Sequence, residues 1–164
     1  MNRRLQRIIG INPGTRYLGI AVFEGPELMD WRVKVLKGKW SKEKMKKAIE
    51  IISDLIECYE PNVLAIKKFH PSRRSRNLVQ LVAKIKEFSR KKALKVYQYS
   101  IKDVEEFFIK EGKPNKKNLA EVIVSENPAL FHELKKEKSN KNFYYIRVLE
   151  AVALASVCFY QLDK

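Results

Sequence analysis

Two apolar runs open the chain, Leu5 to Ile11 and Tyr17 to Phe23, separated only by Asn12-Pro13-Gly14-Thr15. Proline and glycine side by side turn the backbone within a few residues, so the runs are expected to pair as a hairpin of two strands. Gly25-Pro26 then stops the second strand. The first strand is apolar until its C-terminal end, where it delivers one polar residue, Asn12. Whatever the rest of the chain does, it has to cover this hairpin.

The remaining sequence alternates between the two periodicities. Glu27 to Leu36 carries Leu28, Asp30, Trp31, Val33 and Val35 in a pattern that fits a third antiparallel strand before Gly38. From Ser41, residues Met45, Ile49, Ile52, Ile56 and Tyr59 recur at helical spacing until Pro61, and Asn62 to Lys67 is a short apolar strand. A helix between two strands implies a crossover and a parallel pair. A second helix is expected over Arg74 to Lys92, burying Leu78, Val82, Ile85 and Phe88, followed by a fifth strand over Leu94 to Tyr97. Ile101 to Lys110 reads as a short helix, broken by Gly112-Lys113-Pro114-Asn115. Lys116 to Glu126 is another, ended by Asn127-Pro128; Glu133 to Lys141 reads as a loop, and Phe143 to Leu162 as a last helix, apolar on nearly every side. The pattern describes an α/β domain with a mixed five-stranded sheet, the first three strands antiparallel, flanked by helices. At 164 residues, one domain spanning 1–164 is expected.

Composition narrows the class. Apolar residues make up 45% and charged residues 32%, the balance of a folded chain. No stretch approaches the roughly 18 apolar residues of a membrane span, so no membrane role and a cytoplasmic location are expected. Cys58 and Cys158 each sit among apolar residues on expected helices and read as two buried thiols; with only two histidines, a zinc site is not expected.

Thirty-four Lys and Arg face nineteen Asp and Glu, a net charge of +15. Heat-adapted surfaces raise both signs together. Here only the positive sign is in excess, which points to a polyanionic partner, nucleic acid first. The charge is concentrated: between residues 67 and 95, eleven Lys and Arg oppose the single Glu87, so this piece carries +10 of the +15. A helix burying its apolar face there must turn Arg73, Arg76, Gln80 and Lys84 elsewhere, a stripe able to follow phosphates. Three arginines in four residues, Arg73, Arg74 and Arg76, suit phosphate contact.

The segment Ile8-Ile9-Gly10-Ile11-Asn12-Pro13-Gly14-Thr15-Arg16-Tyr17-Leu18-Gly19-Ile20-Ala21-Val22 resembles the opening hairpin of the RuvC-like branch of the ribonuclease H superfold, which includes Holliday junction resolvases. Actin-like ATPases open with a similar turn. Three further landmarks support the resolvase branch: Val63 to Lys67 resembles its fourth strand, Tyr97 to Lys102 its strand exit into a short helix, and Glu150-Ala-Val-Ala-Leu-Ala its C-terminal helix.

The resemblance implies a two-metal nuclease site in which four carboxylates hold Mg²⁺. Carried over position by position, those acids fall at Asn12, Lys67, Arg147 and Glu150. Asn12 alone would match a deliberate knockout, but reversal of charge at Lys67 and Arg147 reads as natural loss. Divalent cations lose most of their oxygen ligands. No intact catalytic set, no metal site and no cofactor are therefore expected; Mg²⁺ or Mn²⁺ enters only if the chain is an active nuclease. Glu24, Asp30 and Asp103 are placed too far off to replace a lost ligand, and Glu150 is expected to be neutralised by Arg147 or Lys67.

The expected function is that of a catalytically inactive resolvase homologue binding branched or duplex DNA through a basic face. The nucleic-acid-binding candidates are Lys68, Phe69, Arg73, Arg74, Arg76, Lys84 and Lys102. Phe69 resembles the aromatic residue of resolvases that approaches the junction centre, or else packs under its own loop. Tyr97, Tyr99, Tyr144 and Tyr145 read as sheet-end and core residues before base-stacking ones. The resemblance implies DNA in preference to RNA, and a homodimer. Two alternatives stand beside it: an active metal-dependent, structure-selective endonuclease, and a scaffolding protein that binds an acidic partner.

Overall fold

Parity along the strands decides which side of the sheet each residue faces, since successive side chains point to opposite faces. In the computed structural model, which describes residues 6–132, 135 and 144–163, β1 (Arg7–Asn12), β2 (Tyr17–Glu24), β3 (Glu27–Val35), β4 (Val63–Lys67) and β5 (Lys95–Tyr99) form one sheet in the order β3-β2-β1-β4-β5. β1 pairs antiparallel with β2, and β2 with β3; β1 pairs parallel with β4, and β4 with β5. This is the mixed sheet expected from the sequence.

The parallel pairs need crossovers, and α1 (Lys42–Tyr59) and α2 (Arg76–Lys91) supply them. Both lie on one face. There Ala48, Ile52, Leu55, Leu81 and Ile85 pack on Ile9, Ile11, Ile20, Leu64 and Ile66. The other face carries α3 (Ile101–Phe108), α4 (Lys116–Glu126) and α5 (Tyr144–Leu162), packed on Ile8, Ala21, Phe23, Val63 and Ala65. Parity then sends Asn12, two past Gly10, and Lys67, two past Ala65, to the α5 face. The helix starts are local: Ser41, Ser75, Ser100 and Asn115 each accept a backbone N–H from the first turn with the side chain.

α5 is buried along most of its length, from Val148 to Cys158, and it lies unusually close to the sheet. A Cβ at Gly10 would stand 2.4 Å from the Ala151 carbonyl oxygen, and one at Gly19 would stand 2.3 Å from that of Arg147. The glycines of the hairpin are therefore the floor on which the helix backbone rests.

Three expectations are corrected. Cys58 is exposed, not buried: the buried stripe of α1 runs through Ala48, Ile52, Leu55 and Ile56, and two further positions carry Cys58 around the helix to solvent. α2 starts at Arg76 and not Arg74, because Ser75 caps it and Pro71–Arg73 forms a separate 3-10 turn. Its buried face centres on Leu81 and Ile85, with Leu78, Val82 and Phe88 half-buried at the flanks. The expected loop Glu133–Lys141 lies outside the described residues except Lys135, which is helical.

Alanine at Gly10 or Gly19 is expected to lower unfolding free energy by about 1–3 kcal/mol, the usual cost of overpacking. Urea denaturation of each variant measures it; an unchanged midpoint would show that α5 has room to retreat.

Candidate nucleic-acid interface

The C-terminal ends of β1 and β4 are neighbours because the strands run parallel, with Ile11 opposite Ile66 as their last paired residues. Asn12 and Lys67 follow, side by side on the α5 face. α5 crosses above them and brings in Glu150, only 3% exposed. One oxygen is doubly held: Lys67 Nζ and Asn12 Nδ2 each donate to Oε2 at 2.8 Å, while Lys116 Nζ lies 3.7 Å from Oε1. Asn12 is itself fully buried, its Nδ2 also 3.4 Å from the Arg147 carbonyl and its Oδ1 without a hydrogen-bond partner. Burial pulls the Lys67 ammonium below the usual lysine range, opposed by the attraction of Glu150.

Lys67, Lys116 and Glu150 form one wall of an open cleft of about 540 Å³, with Asn12 buried behind them. Three of the expected positions, Asn12, Lys67 and Glu150, are in direct contact. Arg147 belongs to the same cleft, but its guanidinium lies beside the β1–β2 turn, with Nη1 3.0 Å from where a Gly14 Cβ would sit. Lys67, not Arg147, neutralises Glu150.

Lys68, Phe69 and Arg73 line the cleft as well. Phe69 is half-buried, its ring 5.0 Å from Lys67 Nζ in a cation–π contact. Arg74 folds back, Nε donating to the Phe69 carbonyl at 3.0 Å, and lines a neighbouring groove. Arg76 and Lys84 are exposed along α2, and Lys102 is exposed on α3; none of the three lines the cleft. Tyr97 and Tyr99 belong to the core, the Tyr99 phenol bonded to Cys158 and pushed up by burial. The side chains of Tyr144 and Tyr145 lie outside the described residues.

Two charged cleft residues escaped the sequence reading. Lys116 opens α4, and Glu105 sits one turn past Ile101 on the inner side of α3. Helical spacing from Ile101 marks Glu105 as half-inward; nothing local marks Lys116, whose place depends on how α4 docks. The other acids are spent elsewhere: Glu24 lies 3.8 Å from Arg7, Asp30 binds Arg32 and the Tyr59 hydroxyl, and Asp103 caps α3.

The donor set does not fit a divalent pair. An ammonium stands where a cation needs an oxygen, Asn12 offers one neutral amide oxygen, and Oε2 of Glu150 is already held by two donors. Among the described residues no group of three or more His, Cys, Asp or Glu is placed to hold a metal ion.

A five-stranded sheet of this order, with a polar cluster at the ends of its first and fourth strands beneath the last helix, defines a ribonuclease H-like domain. The model of the crossover junction endodeoxyribonuclease RuvC family matches residues 8–137, and the chain belongs to that family. Thermus thermophilus RuvC, solved in complex with a Holliday junction substrate, superposes with a TM-score of 0.73 at 16% identity, covering 96% of each chain. The yeast mitochondrial Holliday junction resolvase Ydc2 gives 0.64 at 13% identity over 96% of this chain and 80% of its own. The large terminase nuclease of the thermophilic phage G20c gives 0.53 at 11% identity, over 93% and 82%. No curated protein sequence matches the chain significantly.

Lys67→Met leaves Glu150 charged and buried, and is expected to cost about 3–5 kcal/mol. Lys67→Met combined with Glu150→Gln is expected to regain most of it, because no uncompensated charge remains; denaturant unfolding of the two variants checks both values.

Glu105 supplies a pH signature. Burial raises its carboxyl above the ordinary 4.5, opposed by Lys116. The folded state therefore binds a proton that the unfolded chain has released; this contribution is present below 4.5 and is lost as pH rises through the folded value. Glu105→Gln is expected to be more stable than the parent at about pH 7 and equal to it at about pH 4, read as melting temperature across that range.

Proposed function

We propose that this RuvC-family chain binds branched or duplex DNA without cutting it. The observation that carries the reading is the Lys67–Glu150 pair at 2.8 Å, which uses the one acid left among the four resemblance positions and puts a cation of the protein's own beside it. The partner surface runs from Lys68, Phe69 and Arg73 at the cleft, past Arg74 in the neighbouring groove, to Arg76 and Lys84 on α2, with Lys102 of α3 as a separate contact on the other side of the sheet. Arg73 lines the cleft while Arg76 and Lys84 stand exposed on α2, so a single polyanion can touch both regions. In this reading residues 1–164 act as one domain, paired as a homodimer in the cytoplasm, with DNA chosen over RNA; no helix of the described residues is long and apolar enough to cross a membrane.

One observation favours a second reading. Glu105 brings another carboxylate to the cleft, which an active nuclease would use together with Glu150 and Mg²⁺ or Mn²⁺.

A labelled four-way junction, incubated with the pure protein and Mg²⁺ or Mn²⁺ at two salt concentrations, tests both. Binding without cleavage is expected, with affinity falling steeply as salt rises. Replacing Arg73, Arg74 and Arg76 together by Ala is expected to flatten the log–log slope by about 0.9 for each phosphate that the variant no longer neutralises. Metal-dependent cutting abolished by Glu150→Ala would establish the nuclease. A parent affinity that is weak and indifferent to salt would favour an acidic protein as the partner.

A further inference from the structure

We propose that the cleft has changed the sign of its ligand: where its relatives' fold would seat metal cations, this chain seats a phosphodiester anion directly, with no divalent ion between protein and phosphate. The inference deepens the DNA-binding reading and rests on it.

The charges lining the cleft are the first support. Lys67, Lys68, Arg73, Lys116 and Arg147 oppose Glu105 and Glu150, a formal excess of +3. The excess is not consumed internally. Lys67 takes the nearer oxygen of Glu150 and Lys116 stands 3.7 Å from the other, while the Arg147 guanidinium has no carboxylate partner among the described residues. Lys68 and Arg73 are exposed and likewise have no ion-pair partner there.

The innermost cation is also held in place. Lys67 is fixed between the Glu150 carboxylate at 2.8 Å and the Phe69 ring at 5.0 Å, and its side chain is only 16% exposed. Arg147 rests on the β1–β2 turn at Gly14. Glu150 thus anchors Lys67 instead of binding a metal, and that side chain has little rotamer entropy left to give up when an anion arrives. A guanidinium with ammonium groups around it matches the geometry of a phosphate, the arginine fork supplying two donors and the lysines point charges.

Continuity selects a backbone phosphate over a free anion. Arg73 lines the cleft, and the chain then enters α2 with Arg76 and Lys84 exposed along it. A nucleic-acid strand following α2 therefore delivers its next phosphates to Arg73 and the cleft. An open volume of about 540 Å³ leaves room for the sugars on either side.

The test measures junction-DNA binding by the full chain in EDTA and in Mg²⁺, for the parent, for Lys116→Gln, and for Lys116→Gln with Arg147→Gln. Lys116 is half-exposed, so the single variant is expected to keep its fold, checked by its melting temperature. Supporting results are a parent affinity in EDTA at least as high as in Mg²⁺, which competes for the phosphates as a counterion, and a log–log salt slope shallower by about one in the double variant. Loss of parent binding in EDTA would overturn the proposal, because the phosphate would then be held through a metal. Unchanged affinity and slope in both variants would overturn it too, while leaving DNA binding on α2 intact. If the parent binds no DNA at all, the DNA-binding reading fails. Titration with inorganic phosphate, followed by backbone NMR shifts at Gly14, Arg147 and Glu150, then decides the cleft alone: shifts at these residues support an anion site for a free phosphate, and their absence overturns it.

Discussion

The pair between Lys67 and Glu150 is the interaction on which the polar end of this molecule depends. Glu150 lies on the buried stretch of a mostly apolar helix, and a carboxylate so placed has to be matched by donors or the helix cannot seat. Three elements meet to provide them. β4 contributes the ammonium of Lys67, β1 the amide of Asn12 and α4 the more distant Lys116. Removing Lys67 or Asn12 disturbs more than a single bond, because both donate to the same carboxylate oxygen.

That arrangement is possible because of how the backbone is packed. α5 rests on Gly10 and Gly19, close enough that a methyl group on either would strike its carbonyl oxygens. The close approach brings Glu150 down to the ends of β1 and β4. The same approach lets Asn12 reach the Arg147 carbonyl as well as the Glu150 carboxylate. A carboxylate at position 12 would place two like charges in contact there; the amide replaces repulsion with a hydrogen bond. The unpartnered Oδ1 of Asn12 is the remaining cost of that solution.

The excess charge is arranged about this end. Residues 67 to 95 leave β4 at the cleft, form the Phe69 loop and run along α2. The most basic part of the chain therefore starts at the pocket and extends away from it along one helix. The cleft itself is lined by more cations than carboxylates, so the surface and the cleft carry the same sign.

Much of the architecture was legible in local sequence because its causes are local. Alternation and helical spacing located the five strands and most helices, and Ser41, Ser75, Ser100 and Asn115 mark helix starts that the backbone uses. The positions Asn12, Lys67, Arg147 and Glu150 were likewise visible, through a resemblance carried by short motifs at the ends of those elements. Which of them touch was not. Lys67 and not Arg147 meets Glu150 because strand parity and the height of α5 decide it, and neither is encoded at one position. Lys116 and Glu105 were missed for the same reason: they enter the cleft only through the docking of α3 and α4. Cys58 went wrong because a run of apolar neighbours says nothing about the angle a helix presents. Periodicity and capping depend on residues within a turn of one another, whereas the partner of a buried charge is set by elements 83 residues apart in the chain, and only their packing brings them together.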